Sequence, residues 1–318
     1  MLADERYRQQ VTLLVRTLPF VAEETCFALK GGTAINLFLR DLPRLSVDID
    51  LAYLPVAGRA ESLREIEEAL SRIRRRIEKA LGGVRVQLGA TRGEHMANKL
   101  FVRDGHVQVK IETTPVLRGC VFEPEEREVS QVVERRFGFA AMRVVSFADL
   151  FAGKLVAALD RQHPRDLFDV RELLAKEGIN ERLRTAFIVY LIGHNRPLAE
   201  LLAPAFRDMT AEFQRGFAGM IEVPVSLDDL VRTREELVAS AVGRMPNAHR
   251  RFLLSFEKGE PDWTLLDAPT ASALPAVRWR IANLSRLEET RRKALVSRLE
   301  MVLGEAGGST SVGRVGDT

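Results

Sequence analysis

The stretch LKGGTAINLFLRDLPRLSVDIDLAYL, residues 29–54, holds two sets of side chains whose types and spacing could do chemistry. Asp48 and Asp50 alternate with Val47, Ile49 and Leu51. At the two-residue period of a strand, both carboxylates point to one face and the apolar residues to the other. Two neighbouring carboxylates repel one another unless a cation sits between them. Oxygen ligands suit Mg²⁺, with Mn²⁺ as a substitute, an ion that bridges carboxylates and a nucleotide's phosphates. Ahead of them, Gly31 and Gly32 open a turn in which backbone N–H groups can approach an anion with no Cβ in the way. Thr33 then begins a short helix whose positive end favours phosphate. A glycine turn feeding an Asp-x-Asp strand is the arrangement expected for two-metal nucleotidyl transfer. Each half alone also fits a plain structural reading, as an ordinary turn or a solvated acidic strand edge.

These residues need elements to position them. The period of the apolar positions predicts a helix over residues 5–18 ended by Pro19, a strand at Phe27–Lys30, a helix over 33–39 and a strand at 47–51. A charged amphipathic helix over 60–81 follows, closed by Gly82-Gly83, and then strands at 84–88, 99–102 and 107–113. Ser146 reads as the N-cap of a helix to about Arg161, and Pro164 precedes another over 165–176. Beyond that the pattern is almost wholly helical. Strands thus gather before about residue 145 and helices after it, which predicts an α+β chain: a core over 1–145, a helical domain over 146–305 and a disordered tail over 306–318.

GGTAINLFL followed by RLSVDIDL resembles the signature of the AbiEii-type nucleotidyltransferases, including MenT-like toxins, in the DNA polymerase β superfamily. KLVAALDRQHPRDLFDV strengthens the resemblance, because that family carries a Lys on one helix and an Arg-Asp-x-x-Asp element on the next. The resemblance covers roughly residues 25–175. It implies a small mixed sheet with flanking helices, followed by a helical domain that contributes Lys154 and Asp166. It implies that Gly31, Gly32 and Thr33 cradle phosphate, and that Asp48 and Asp50 bind the metal. Lys154 would meet the triphosphate, and Asp166 would act as base, metal support or orienter of Lys154. Asp169 fits either the same element or helix packing. Polymerase β-like sites often place a third carboxylate on a neighbouring strand. Glu112 is the candidate metal ligand, although Lys110 on the same predicted face offers it a plainer partner. Ser46 shares the predicted face of Asp48 and could bind the nucleotide's phosphate. In MenT-like systems it is also a candidate for inhibitory phosphorylation, since a dianion there would repel nucleotide and carboxylates alike.

The function implied is a Mg²⁺-dependent toxin of a toxin–antitoxin system. It would move a nucleoside monophosphate from an NTP to an acceptor hydroxyl, the tRNA 3′ end, and so arrest translation, with a separately encoded antitoxin as partner. The alternatives are a small-molecule or protein nucleotidyltransferase, and a catalytically silent module that binds nucleotide or antitoxin.

Composition bounds the choice. Of 318 residues, 46% are hydrophobic and 29% charged, as in ordinary globular proteins. No run approaches the ~18–20 uncharged apolar residues of a membrane span. Two cysteines, Cys26 and Cys120, are too few for a disulfide framework, and a cytoplasmic location is expected. The net charge is only +3, yet 39 of the 47 basic residues are Arg, which permits a phosphate-bearing partner without demanding one. The dense cluster Arg72, Arg74, Arg75, Arg76 fans across about 200° of its helix and reads as a solvated, Glu-paired face. No zinc-spaced histidine pair, P-loop or Gly-x-Ser-x-Gly elbow occurs.

Overall fold

The computed structural model describes residues 5–91 and 96–308. The chain divides into two compact units, Met1–Leu150 with Ala211–Val225, and Phe151–Thr210 with Ser226–Thr318.

The first unit is built on a seven-stranded mixed sheet. Its strands are β1 (Phe27–Lys30), β2 (Asp48–Tyr53), β3 (Arg85–Gly89), β4 (Lys99–Asp104), β5 (Val107–Thr113), β6 (Glu125–Glu128) and β7 (Ala141–Val144), in the spatial order β3-β4-β5-β2-β1-β7-β6. β1 runs antiparallel to β2, and β2 runs parallel to β5. The two strands that carry the chemistry are therefore central, each paired on both sides. Helices α1 (Glu5–Ala22) and α3 (Arg59–Ala80) supply Val11, Leu14, Leu18, Ile66, Leu70, Ile73 and Ile77 to the buried core, which Phe27, Leu29, Ile49, Leu51 and Ile111 meet from the sheet. Helix α4 (Gln131–Phe137) joins β6 to β7. α1 does not stop at Pro19 as its sequence suggests. The apolar stripe continues to the buried Val21, and this burial outweighs the one hydrogen bond that proline cannot donate.

Three of the cluster's four arginines pair with Glu. Arg72 grips the buried Glu24 with its Nε and Nη2 at 3.0 and 2.7 Å, and Arg76 reaches Glu24 at 2.6 Å and Glu23 at 2.8 Å. Arg74 pairs with Glu78 one turn on, while Arg75 is exposed. Burial pushes the Glu24 carboxyl up, but the two guanidiniums overcome that and hold it below the usual range. This cluster ties α3 to the end of α1 and is not a nucleic-acid groove.

The segment 211–225, which the sequence pattern assigns to the helical half, returns to the first unit. Leu45 N–H donates to the Met220 carbonyl at 2.8 Å, Arg44 bridges to Ile221, and Glu222 accepts from Arg136 at 2.6 Å. The second unit is helical, with α5 (Phe147–Arg161) leading into it, α6 (Pro164–Lys176), α7 (Glu181–Ile192), α10 (Leu227–Val238), α11 (Asn247–Lys258), α12 (Pro275–Ser285) and α13 (Glu289–Gly308) as its longer elements, α8 (Leu198–Leu202) as a short one, and α9 (Thr210–Gly216) where the units meet in sequence. The tail expected from 306 begins inside α13; residues 309–318 lie outside the described residues. Among the described residues, no helix is long and apolar enough to cross a membrane.

Candidate active site

The glycine turn and the acid strand meet as their spacing suggests. β1 ends at Lys30, and Gly31 takes φ +75°, a left-handed conformation that glycine adopts without strain. A single α-turn, α2 (Gly31–Thr33), passes into a π-helical segment, Ala34–Leu39. Each glycine also has a packing reason. A Cβ on Gly31 would lie 2.6 Å from Asp50 Oδ2, and one on Gly32 would lie 2.7 Å from Arg44 Nη2 and 3.0 Å from Ser46 Oγ. The Asp50 carboxylate therefore lies directly against the turn.

Asp48 and Asp50 are part-exposed, alternating with the fully buried Ile49 and Leu51. The two acids share one face of β2 and neither is walled off. Thr33 fastens turn to strand: its hydroxyl donates to the Asp48 carbonyl and sits 3.0 Å from Ser46 Oγ. Thr33 is fully buried and Ser46 nearly so. Their hydroxyls thus brace the acids from beneath.

Register names the neighbours. Asp50 stands opposite Lys30 on β1 and Glu112 on β5, and Asp48 opposite Lys110. Glu112 shares the rung of Asp50, yet its oxygens are engaged by Lys99 at 2.8 Å and Lys110 at 2.7 Å. Burial would raise its pKa, but these ammonium groups hold it below the ordinary value. Among the described residues, no three His, Cys, Asp or Glu side chains gather as a metal set. In this arrangement Glu112 anchors two lysines. Lys110 is pushed down by burial and raised further by Glu112 and the two aspartates, so its charge is secured. Lys30, which the sequence reading passes over as a strand residue, donates to Thr114 Oγ1 at 3.1 Å. Burial pulls its pKa down, with Asp50, Cys120 and Glu112 opposing. A charged residue closing an apolar strand immediately before the glycines was the available signal for it.

The donor chemistry at β2 fits a hard divalent ion. Two carboxylates project from one strand face, and the adjoining backbone has no Cβ to intrude.

Lys154, Asp166 and Asp169 lie in the second unit and form their own constellation. Two residues join α5 to α6, and Pro164 at the first helical position fixes the start of α6, where His163 Nδ1 accepts from Arg165 N–H at 3.1 Å. Lys154 and Arg161 are two turns apart on α5, while Asp166 and Asp169 are neighbours at i, i+3 on α6. Lys154 Nζ meets Asp166 Oδ1 at 2.8 Å and Asp169 Oδ2 at 3.0 Å, and Arg161 grips Asp166 with Nη2 at 2.9 Å and with Nε. Lys154 is 7% exposed and both acids 2% or less. The ammonium of Lys154, which the resemblance assigns to the triphosphate, here pairs with two buried carboxylates. Asp166 is buried, and burial, which opposes its ionisation, is overcome by Lys154 and Arg161 so that its pKa falls.

Replacing Gly31 with alanine tests the turn. The left-handed φ costs about 1–2 kcal/mol for a residue with a Cβ, and the added carbon would displace the Asp50 carboxylate. We expect transfer of labelled nucleotide to fall at least tenfold while the melting temperature drops only a few degrees. Unchanged transfer would mean that Asp50 is not needed where it stands.

Comparison with known proteins adds the lineage. The structure is similar to MenT4, a nucleotidyltransferase toxin from Mycobacterium tuberculosis H37Rv, with a TM-score of 0.59 at 17% identity over 93% of each chain, a likeness of fold. Terminal uridylyl transferase 4 from Trypanosoma brucei, solved with bound dUTP, aligns over 94% of this chain and 93% of its own, at 12% identity and a TM-score of 0.29, too low to carry an argument. No curated protein sequence matches the chain. The family described as nucleotidyl transferase AbiEii toxin, type IV toxin–antitoxin system, matches residues 12–283. Having this sequence pattern over most of its length, and a sheet that sets paired acids against a glycine turn, the chain belongs to the AbiEii nucleotidyltransferase toxin family.

Proposed function

We propose that this toxin transfers a nucleoside monophosphate from an NTP to a hydroxyl at the 3′ end of tRNA, releasing pyrophosphate and blocking translation, and that a cognate antitoxin restrains it in the cytoplasm. The reading rests on one observation above all: Asp48 and Asp50 are part-exposed on one strand face, and the Asp50 carboxylate lies directly against the Gly31 turn. We assign these two acids as the Mg²⁺ ligands, with Mn²⁺ able to substitute. When bound, such an ion lowers the pKa of an attacking hydroxyl and neutralises a departing pyrophosphate. Gly31 and Gly32 keep bulk away from the phosphates, and the Thr33 hydroxyl holds the acid strand to the turn. Lys99 and Lys110, anchored by Glu112, supply positive charge beside the acids. Ser46 lies under the site as a candidate for inhibitory phosphorylation, where a dianion would break its contact with Thr33 as well as repel nucleotide.

The test is incubation with Mg²⁺, each labelled NTP in turn and total tRNA. Label is expected on RNA from at least one nucleotide and none after chelation. Absence of transfer with all four would remove the RNA acceptor. Label on a polypeptide or an aminoglycoside would select those acceptors instead.

A further inference from the structure

The turn between β5 and β6 carries a buried cation with no use in the site above. Arg118 is only 7% exposed, and its Nε and Nη1 are buried without a hydrogen-bond partner. Among the described residues no carboxylate pairs with it; its charged neighbour is Arg59, which adds to burial in lowering its pKa. A guanidinium taken out of water without an anion is held there against its own solvation. What holds it is backbone. Gly119 N–H donates to the Tyr53 carbonyl at 2.8 Å, and Val121 and Phe122 N–H donate to the buried Asp149 carboxylate at 2.7 and 3.0 Å. The position of Arg118 is thus fixed from both sides of the turn, independently of its side chain.

Arg59 is exposed and is the first residue of α3, a helix of 22 residues. The N-cap of that helix, Gly58, makes no side-chain cap, and a Cβ there would meet nothing. A long helix thus presents its positive end to open space beside two guanidiniums, one of them with unused donors. The two loops that carry these residues also expose Val56, at 51%, and Val116, at 44%. Cationic donors beside exposed apolar side chains suit a ligand in which phosphate alternates with base and sugar. Tyr53, on whose carbonyl the turn docks, lies three residues beyond Asp50 on β2, about 10 Å along the strand.

We propose that Arg118, with Arg59 and the N-terminus of α3, binds a backbone phosphodiester of the acceptor RNA upstream of the reacting hydroxyl. This rests on the RNA reading given above. Arg118 acts here in acceptor binding and takes no part in the chemical step.

The test uses the full chain and its Arg118→Met, Arg118→Lys and Arg59→Gln variants. Binding of a ten-nucleotide single-stranded RNA and of inorganic phosphate is titrated over a range of salt, and transfer to tRNA is followed with labelled NTP. Arg118→Met is expected to weaken RNA binding about tenfold or more and to reduce the salt slope by about one. It should raise the KM for tRNA while leaving the KM for NTP and kcat unchanged. Arg118→Lys should restore part of the loss through charge without the fork, and the exposed Arg59→Gln should show a smaller loss in the same direction. The melting temperature of Arg118→Met should be unchanged or higher, because an unpaired buried charge has gone. Unchanged RNA binding and salt slope in Arg118→Met, with transfer to tRNA intact, would overturn this site and leave the RNA reading standing. A large fall in melting temperature would mark Arg118 as structural and overturn it too. Phosphate binding lost in Arg118→Met while RNA binding is retained would replace the strand by a free anion. Failure of the unmodified protein to bind or label RNA would overturn both readings.

Discussion

Asp48→Ala is expected to reduce nucleotidyl transfer by about a thousandfold or more, since a bound divalent ion contributes several kcal/mol at the transition state and each ~1.4 kcal/mol is a factor of ten. Stability should hardly change. Thr33 braces the strand through the Asp48 backbone carbonyl, which alanine retains, and removing one of two neighbouring carboxylates relieves repulsion. The measurement pairs single-turnover transfer with thermal melting. A melting temperature that collapses along with activity would make Asp48 a structural residue. Growth arrest on expression that survives the loss of both acids would favour a non-enzymatic toxin.

Asp166→Ala carries the opposite signature, a large loss of stability. Asp166 sits at 1% exposure between Lys154 and Arg161. Without it, the buried Lys154 keeps only Asp169 as partner. Removing one member of a buried ionic group typically costs about 3–5 kcal/mol. Arg161 is largely exposed and rehydrates, so the lower end of that range applies. The corresponding fall in melting temperature is on the order of 10 °C. The folded pKa of Asp166 lies below its unfolded value. Its contribution is therefore fully present above the ordinary carboxylate pKa, about 4, and is lost as pH falls below it. The unmodified protein should lose melting temperature more steeply than Asp166→Ala between about pH 5 and pH 2.5. Parallel profiles would show that the group makes no net contribution. The same cluster recasts Lys154: Lys154→Met should first destabilise the second unit, and an unaltered melting temperature with a raised KM for NTP would return it to the nucleotide.

The parts of the fold that were legible in the sequence are those where local pattern and tertiary demand agree. Val47–Leu51 alternates cleanly, and the structure makes Asp48–Tyr53 a central strand. β6 and β7 were not anticipated. The residues of β6 read Glu-Glu-Arg-Glu, which has neither β-propensity nor alternation; it is a four-residue edge strand defined by pairing with β7 rather than by its own side chains. The return of 211–225 is marked by one long-range hydrogen bond at Met220 and by the Arg136–Glu222 pair, which no local window contains. At the site, spacing brought the glycines to Asp50 correctly but could not tell which groups were already engaged. Glu112 and Lys154 carry the right chemistry at the right places, and their partners Lys99 and Asp169 lie 13 and 15 residues away in sequence. Whether a charge is available or neutralised depends on such partners, and periodicity is blind to them.

The acids stand on the middle strand, clasped on both flanks, with three strands between it and each margin of the sheet. A segment so hemmed in has almost no room to drift. Novelty in what this scaffold modifies would then accumulate at the rim, in the outlying strands and the loops beyond them, while the middle stays put.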